Sequence, residues 1–176
     1  MNAIKSISVT VDGRTFVPWA TRYVRVEAQK CYQIHCPFSL MLGRLVARNM
    51  DAETVFSVKK ESLFVSTYVM ERPGRETIKI RKVSTGYWIC QEGKRTWEVH
   101  RYSSIKCILS TEGRQMGIMS LNANLPFTDE GEIFLRVHDR RYLDLSIAVA
   151  LLVDGFSLNL SPILLNNNKV TAAQPV

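Results

Sequence analysis

Residues Tyr142 to Phe156 read YLDLSIAVALLVDGF, and the nine positions from Leu145 to Val153 hold no charge and a single polar side chain, Ser146. No polar stripe recurs at the helical period of 3.6 residues. A helix that is apolar on all sides must be surrounded on all sides, by protein or by lipid. Crossing a bilayer takes roughly 20 predominantly apolar residues, and this run is bounded by Asp144 and Asp154. A helix threaded through a protein interior is the better reading. The fold is therefore expected to be built around it.

The rest of the chain reads as strands separated by turns. Ile7, Val9 and Val11 alternate with polar residues, Asp12-Gly13 supplies a turn, and Thr15 to Val17 resumes, a hairpin spanning residues 4–17. Further strands are expected at Tyr23–Glu27, Cys31–His35, Leu45–Asn49, Thr54–Lys59, Phe64–Met70, Thr77–Val83, Tyr87–Gln91, Thr96–Tyr102, Ile105–Ser110, Met116–Leu121 and Glu132–His138. Arg72-Pro73-Gly74-Arg75, Glu92-Gly93-Lys94-Arg95 and Thr111-Glu112-Gly113-Arg114 mark tight turns. Short strands at regular spacing imply an all-β sandwich or barrel. Residues 1–165 are read as one folded domain and 166–176 as a disordered tail.

Charge is unevenly placed. Between Phe56 and Lys106 there are eleven Lys or Arg against five Glu, which accounts for most of the net +7. Such a segment suits an anionic partner, or is a solvated face that aids solubility. No apolar leader follows Met1, so no secretory signal is expected. The triplet at Asn159 is then expected to be idle as a glycosylation acceptor. The cysteines Cys31, Cys36, Cys90 and Cys107 lack zinc-ligand spacing and read as free thiols of a reducing compartment.

Several segments together resemble the tubby-like superfamily, closest to the LURP-one-related and phospholipid scramblase-like proteins. They are LVARNMDAETVFSVKK from Leu45, YVMERPGRETIKIRK from Tyr68, the aromatic strands at Tyr87-Trp88-Ile89 and Trp97-Glu98-Val99, ILSTEGRQMGIMS from Ile108, and FLRVHDRRYLDLSIAVALLVD from Phe134. The resemblance covers about residues 30–158. It implies a mainly β fold, an antiparallel β-barrel of about 10–12 strands enclosing a C-terminal hydrophobic helix. Near Ser104–Ile108 the chain runs about two strands short of twelve, and the hairpin at 4–17 either fills that gap or is an addition. The acidic stretch that scramblases carry before the helix is here Asp139-Arg140-Arg141-Tyr142-Leu143-Asp144. Calcium binding is therefore not carried over.

No nucleophile elbow, phosphate loop or dinucleotide fingerprint is present. His35 beside Cys36 points to the opposite face of a strand, and His138 beside Asp139 reads as a strand-end residue. Neither enzymatic activity nor a cofactor is expected. The candidate anion-binding residues are Arg72, Arg75, Lys79, Arg81, Lys82, Lys94 and Arg95, with Ile78 and Ile80 turned inward and Lys79 and Arg81 outward. Tubby proteins bind phosphoinositides, so the resemblance implies anionic phospholipids or phosphoinositides as partners of a cytoplasmic, peripherally membrane-bound module. A self-assembling structural protein, such as a small basic viral matrix protein, and a scramblase-like protein are the alternatives. A protein partner or self-association stays open. Nucleic acid is not expected, because no RNP motif is present and Trp88 and Trp97 read as core residues.

Overall fold

A computed structural model of the 176-residue chain describes residues 6–11, 21–35, 44–62, 66–103, 106–121 and 133–152. Twelve antiparallel strands close into a barrel in which every strand pairs with its neighbours in sequence. They are β1 (Ile7–Val11), β2 (Arg22–Val26), β3 (Gln29–His35), β4 (Arg44–Asn49), β5 (Thr54–Lys60) and β6 (Thr67–Glu71). Then come β7 (Ile78–Ser84), β8 (Tyr87–Glu92), β9 (Arg95–Ser103), β10 (Lys106–Thr111), β11 (Arg114–Leu121) and β12 (Ile133–Val137). Strand β1 closes the ring, pairing with β12 from Ile7 opposite Val137 to Val11 opposite Ile133, and with β2 on its other edge. Eleven strands run from β2 to β12, so the shortfall is one strand rather than the expected two, and the N-terminal strand fills it. Both edges of β1 are taken, so its hairpin partner is β2 at Arg22–Val26 and not the expected Thr15–Val17, which itself lies outside the described residues.

A closed ring leaves no edge strand exposed, and its inward positions alternate with outward ones. Val9 and Val11, Ile78 and Ile80, Ile133, Leu135 and Val137 are all buried, while Lys79, Phe134 and Arg136 between them face outward. Twelve strands enclose more space than side chains alone fill, and a helix occupies it. After β12 a 3-10 turn, Arg140–Tyr142, leads into α1, Leu143–Leu151. Every residue of α1 except Asp144 is buried. The helix starts at Leu143 rather than at Tyr142, where Asp139 caps the 3-10 turn by accepting from the Arg141 N–H at 2.9 Å. Residues 153–156 of the expected helix lie outside the described residues, as do Asn159, Cys36 and the tail.

Small residues on the helix let it approach the wall. A methyl group added at Gly117 on β11 would stand 3.3 Å from the Arg136 carbonyl oxygen and 3.6 Å from Ser146 Oγ. No helix among the described residues is long and apolar enough to cross a membrane.

The up-and-down path gives the barrel two unlike ends. Strands β2, β4, β6, β8, β10 and β12 finish at the end where α1 begins. Their turns there are polar: Glu27-Ala28, Asp51-Ala52, Pro73-Gly74-Arg75, Gly93-Lys94 and Glu112-Gly113.

Candidate anion-binding cleft at the helix-start end

Two of these turns lie over the first turn of α1. In the β6–β7 turn the Arg75 N–H donates to the Arg72 carbonyl at 3.2 Å, with Gly74 at φ +68°. The β8–β9 turn rests on Gly93 at φ +54°, where an added Cβ would meet Glu76 Oε2 at 2.8 Å. Glycine supplies both the left-handed backbone and the close approach. The two turns are thereby packed side by side.

Between them and the helix start opens a cleft of about 600 Å³. Arg72, Arg75, Lys94, Arg95 and Arg141 line it, against the carboxylates Glu76 and Glu92, with Trp97, Tyr142, Ile78 and Leu145 as its apolar floor. An adjoining hollow of about 440 Å³ continues along Lys94, Arg95 and Trp97 toward the β10–β11 turn. Trp97 and Tyr142 meet edge to face at 5.9 Å, a geometry that holds Tyr142 at the cleft floor.

Arg72 is the built element of the cleft. Its side chain keeps only 6% exposure, and one terminal nitrogen pairs with Glu92. The same nitrogen reaches the Glu76 carbonyl at 3.4 Å. Its Nε is buried and finds no hydrogen-bond acceptor. A guanidinium offers five donors in a planar fork, so Arg72 retains capacity for an oxyanion. Arg141 is held by Asp139, which accepts from its Nε at 3.0 and 3.1 Å and from Nη2 at 2.6 Å. This bidentate pair lowers the Asp139 carboxyl and raises Arg141.

Behind the cleft, Asp144 sits in the first turn of α1. Burial raises its pKa, and the nearby Arg72 and Arg75 charges oppose that rise. Tyr32 on β3 reaches Asp144 Oδ1 at 3.4 Å. The Tyr32 hydroxyl is pushed up to about 12 by burial first and by the Asp144 charge second.

Four of the seven sequence candidates, Arg72, Arg75, Lys94 and Arg95, therefore converge on one cleft. The other three do not join them. Lys79 and Arg81 point outward from the barrel wall, Lys79 facing Glu61 at 3.7 Å. Lys82 lies toward the opposite end, 5.6 Å over the Trp88 ring. The strand alternation that displays Lys79 and Arg81 together also aims them away from the turns. Arg141 was not among the candidates, although the paired arginines before the apolar run were its signal. Lys59 pairs with Glu71, exposed on the wall.

Nothing in the cleft aligns a nucleophile with a base. Among the described residues no group of three or more His, Cys, Asp or Glu is placed to hold a metal. Cys90 is buried and its thiol is pushed up to about 12 by desolvation, and burial raises Cys107 as well. Both are unreactive as thiolates. Compared with protein-family models, curated proteins and solved structures, the chain finds no match in any of the three.

Proposed function

We propose that the barrel is a non-enzymatic binding module that attaches peripherally to anionic membrane surfaces, with a phosphorylated lipid headgroup, phosphoinositides foremost, entering the helix-start cleft. The observation that carries this reading is the Arg72 guanidinium, largely buried and with an Nε that has no acceptor, inside a cleft of five cations and two carboxylates. A phosphate there would gain charge-assisted hydrogen bonds from a preorganised arginine. Arg75, Lys94 and Arg95 stand exposed at the rim, where each cation near an anionic leaflet is worth about 1 kcal/mol. The likeness of the sequence to tubby-like proteins points the same way.

Co-sedimentation with vesicles of neutral lipid, of anionic lipid and of anionic lipid with added phosphoinositide tests the reading. Reversing Arg75, Lys94 and Arg95 together should lower the partition coefficient by at least about two orders of magnitude. Reversing Lys79 and Arg81 on the wall should change it much less. Equal binding by the rim variant and the unaltered protein, or no binding at low salt, would sink the proposal.

A further inference from the structure

Beyond that reading, and on a different face, we infer that the outer wall across β8–β12 is a docking surface for single-stranded nucleic acid. The wall carries an ordered series of solvent-facing rings. Tyr87 on β8 and His100 on β9 are register partners whose rings stack at 4.6 Å and 30°. Tyr102, two positions along β9 and so on the same face, lies 6.4 Å from His100 and is 68% exposed. The two rings are tilted by 52°, so holding a base between them at about twice the 3.4 Å stacking rise requires Tyr102 to turn parallel to His100. Because Tyr102 is so exposed, it is free to close on such a base.

Across β10 and β11 the register continues with outward residues that are not aromatic, and the next ring is Phe134 on β12. His100 is opposite Ile108, Ile108 opposite Ile118, and Ile118 opposite Arg136. The neighbouring row places Lys106 opposite Ser120 and Ser120 opposite Phe134. Between the two rows runs a groove of about 510 Å³ whose lining includes Lys106, Ser120, Phe134 and Arg136. Phe134 is 40% exposed, which is unusual for a phenylalanine in mid-strand. From β8 to β12 is four strand spacings, about 19 Å. That suits a site at the short end of the roughly 4–16 nucleotides that small barrels engage.

Charge complements the rings. Arg81 flanks Tyr87, and Lys106 and Arg136 line the groove. None of these three cations is in an ion pair with a described carboxylate, whereas Lys59, Arg72, Lys79 and Arg141 each are. Glu98, on the same outward face, accepts from Tyr87 and lies 3.1 Å from His100 Nε2, so its carboxylate stands beside the rings. Rings for bases beside unpaired cations for phosphates is the arrangement by which single strands are bound without sequence readout. A bilayer fits the wall less well. Its flat surface would touch a convex barrel along a narrow stripe, while a flexible strand can follow the curve.

Fluorescence anisotropy of the full chain with labelled oligo(dT) and oligo(rU) of about twelve nucleotides tests this. Saturable, salt-sensitive binding is expected, with a duplex of the same length competing poorly because its bases are already stacked. Tyr102→Ala, His100→Ala and Phe134→Ala should each weaken binding between about fivefold and a hundredfold. Lys106→Ala and Arg136→Ala should each flatten the logarithmic salt dependence by about 0.7. All five residues are on the outer wall, and unchanged thermal transitions would show that the variants fold. No saturable binding at low salt overturns the inference. So does binding that ignores the ring variants and falls only when Arg75, Lys94 and Arg95 are reversed, which is non-specific attraction to the cleft. Ring variants that lose vesicle binding and keep oligonucleotide binding would assign the wall to membranes and equally overturn it. Failure of vesicle binding with oligonucleotide binding intact would instead leave this inference standing and remove the membrane reading.

Discussion

Arg72 and Glu92 tie the β6–β7 turn to the end of β8, with side-chain exposures of only 6% and 17%. Removing one partner of such a pair leaves an uncompensated charge and costs about 3–5 kcal/mol. In a domain of this size, Arg72→Ala should therefore lower Tm by about 6–20 °C in a calorimetric scan. Replacing both residues by methionine should recover most of that loss. Glu92→Gln has a second expected consequence. It weakens the hold on Arg72 while keeping side-chain volume, so anionic vesicles should bind the variant more tightly than the unaltered protein even as stability falls.

Asp144 should make the protein more stable in mild acid. Its folded-state pKa is raised, chiefly by burial, so the folded state binds this proton more tightly than the unfolded chain does. The stabilisation from the protonated form is fully present below the unfolded pKa and is lost as pH rises through the raised one. Asp139 and Glu71 are shifted down by their Arg141 and Lys59 partners. They act in the opposite direction, losing stability as pH falls through their lowered values, but both are solvent-screened. Asp144→Asn should raise Tm at neutral pH and remove the gain on mild acidification. A lowered neutral-pH Tm in this variant would mean that the attraction of Arg72 and Arg75 outweighs the cost of burial.

The barrel was legible in the sequence because both of its periods are clean. Ile78-Lys79-Ile80-Arg81 alternates as a half-buried strand must, and the run from Leu145 has no polar face at any helical phase. The expected strands from Tyr23 onward overlap observed ones within a few residues, because Gly93 and Gly113 mark turns that require a left-handed backbone. The cleft was half legible. Arg72, Arg75, Lys94 and Arg95 belong to two turns that composition marks as basic. That these turns leave the same end of the barrel follows from counting strands. Lys79, Arg81 and Lys82 share the charge run and not the place, since each step along a strand turns a side chain to the other face. The ring series was not legible at all. Tyr87 and His100 are thirteen positions apart, and only the β8–β9 register brings them together.

Ser146 carries a hydroxyl into an apolar interior. Its Oγ is buried, makes no hydrogen bond among the described residues, and borders a cavity of about 20 Å³ beside Gly117, Val149 and Ala150. An unmade buried hydrogen bond costs about 1–3 kcal/mol. Ser146→Ala should therefore hold or raise the midpoint of urea unfolding, by up to about 1 kcal/mol in stability. Gly117→Ala should lower it, because its methyl would press on the Arg136 carbonyl of the neighbouring strand. Combined, the two changes should lose less than their separate effects predict, since Ser146 Oγ is itself one of the atoms that the methyl at 117 meets.

Turn backbones provide the most direct check on the helix-start end. Ala28 and Ala52 each have φ +66°, a conformation that costs an L-residue with a Cβ roughly 1–2 kcal/mol. Ala28→Gly and Ala52→Gly relieve that strain and add freedom to the unfolded chain, leaving a net gain of about 0.5 kcal/mol each. Gly113→Ala imposes the same strain at φ +72° with nothing within 4 Å of the new methyl, so it should lose about 1 kcal/mol and leave vesicle binding unchanged. Gly93→Ala adds a collision with the Glu76 carboxylate at 2.8 Å to an equivalent backbone cost. Glu76 would have to shift within the cleft that it shares with Arg72 and Arg75. Urea unfolding with vesicle binding on the same four variants separates the effects. Stability should order Ala28→Gly and Ala52→Gly above Gly113→Ala, and Gly113→Ala above Gly93→Ala. Gly93→Ala alone should alter anion binding, and an unaltered affinity in that variant would detach Glu76 from the site.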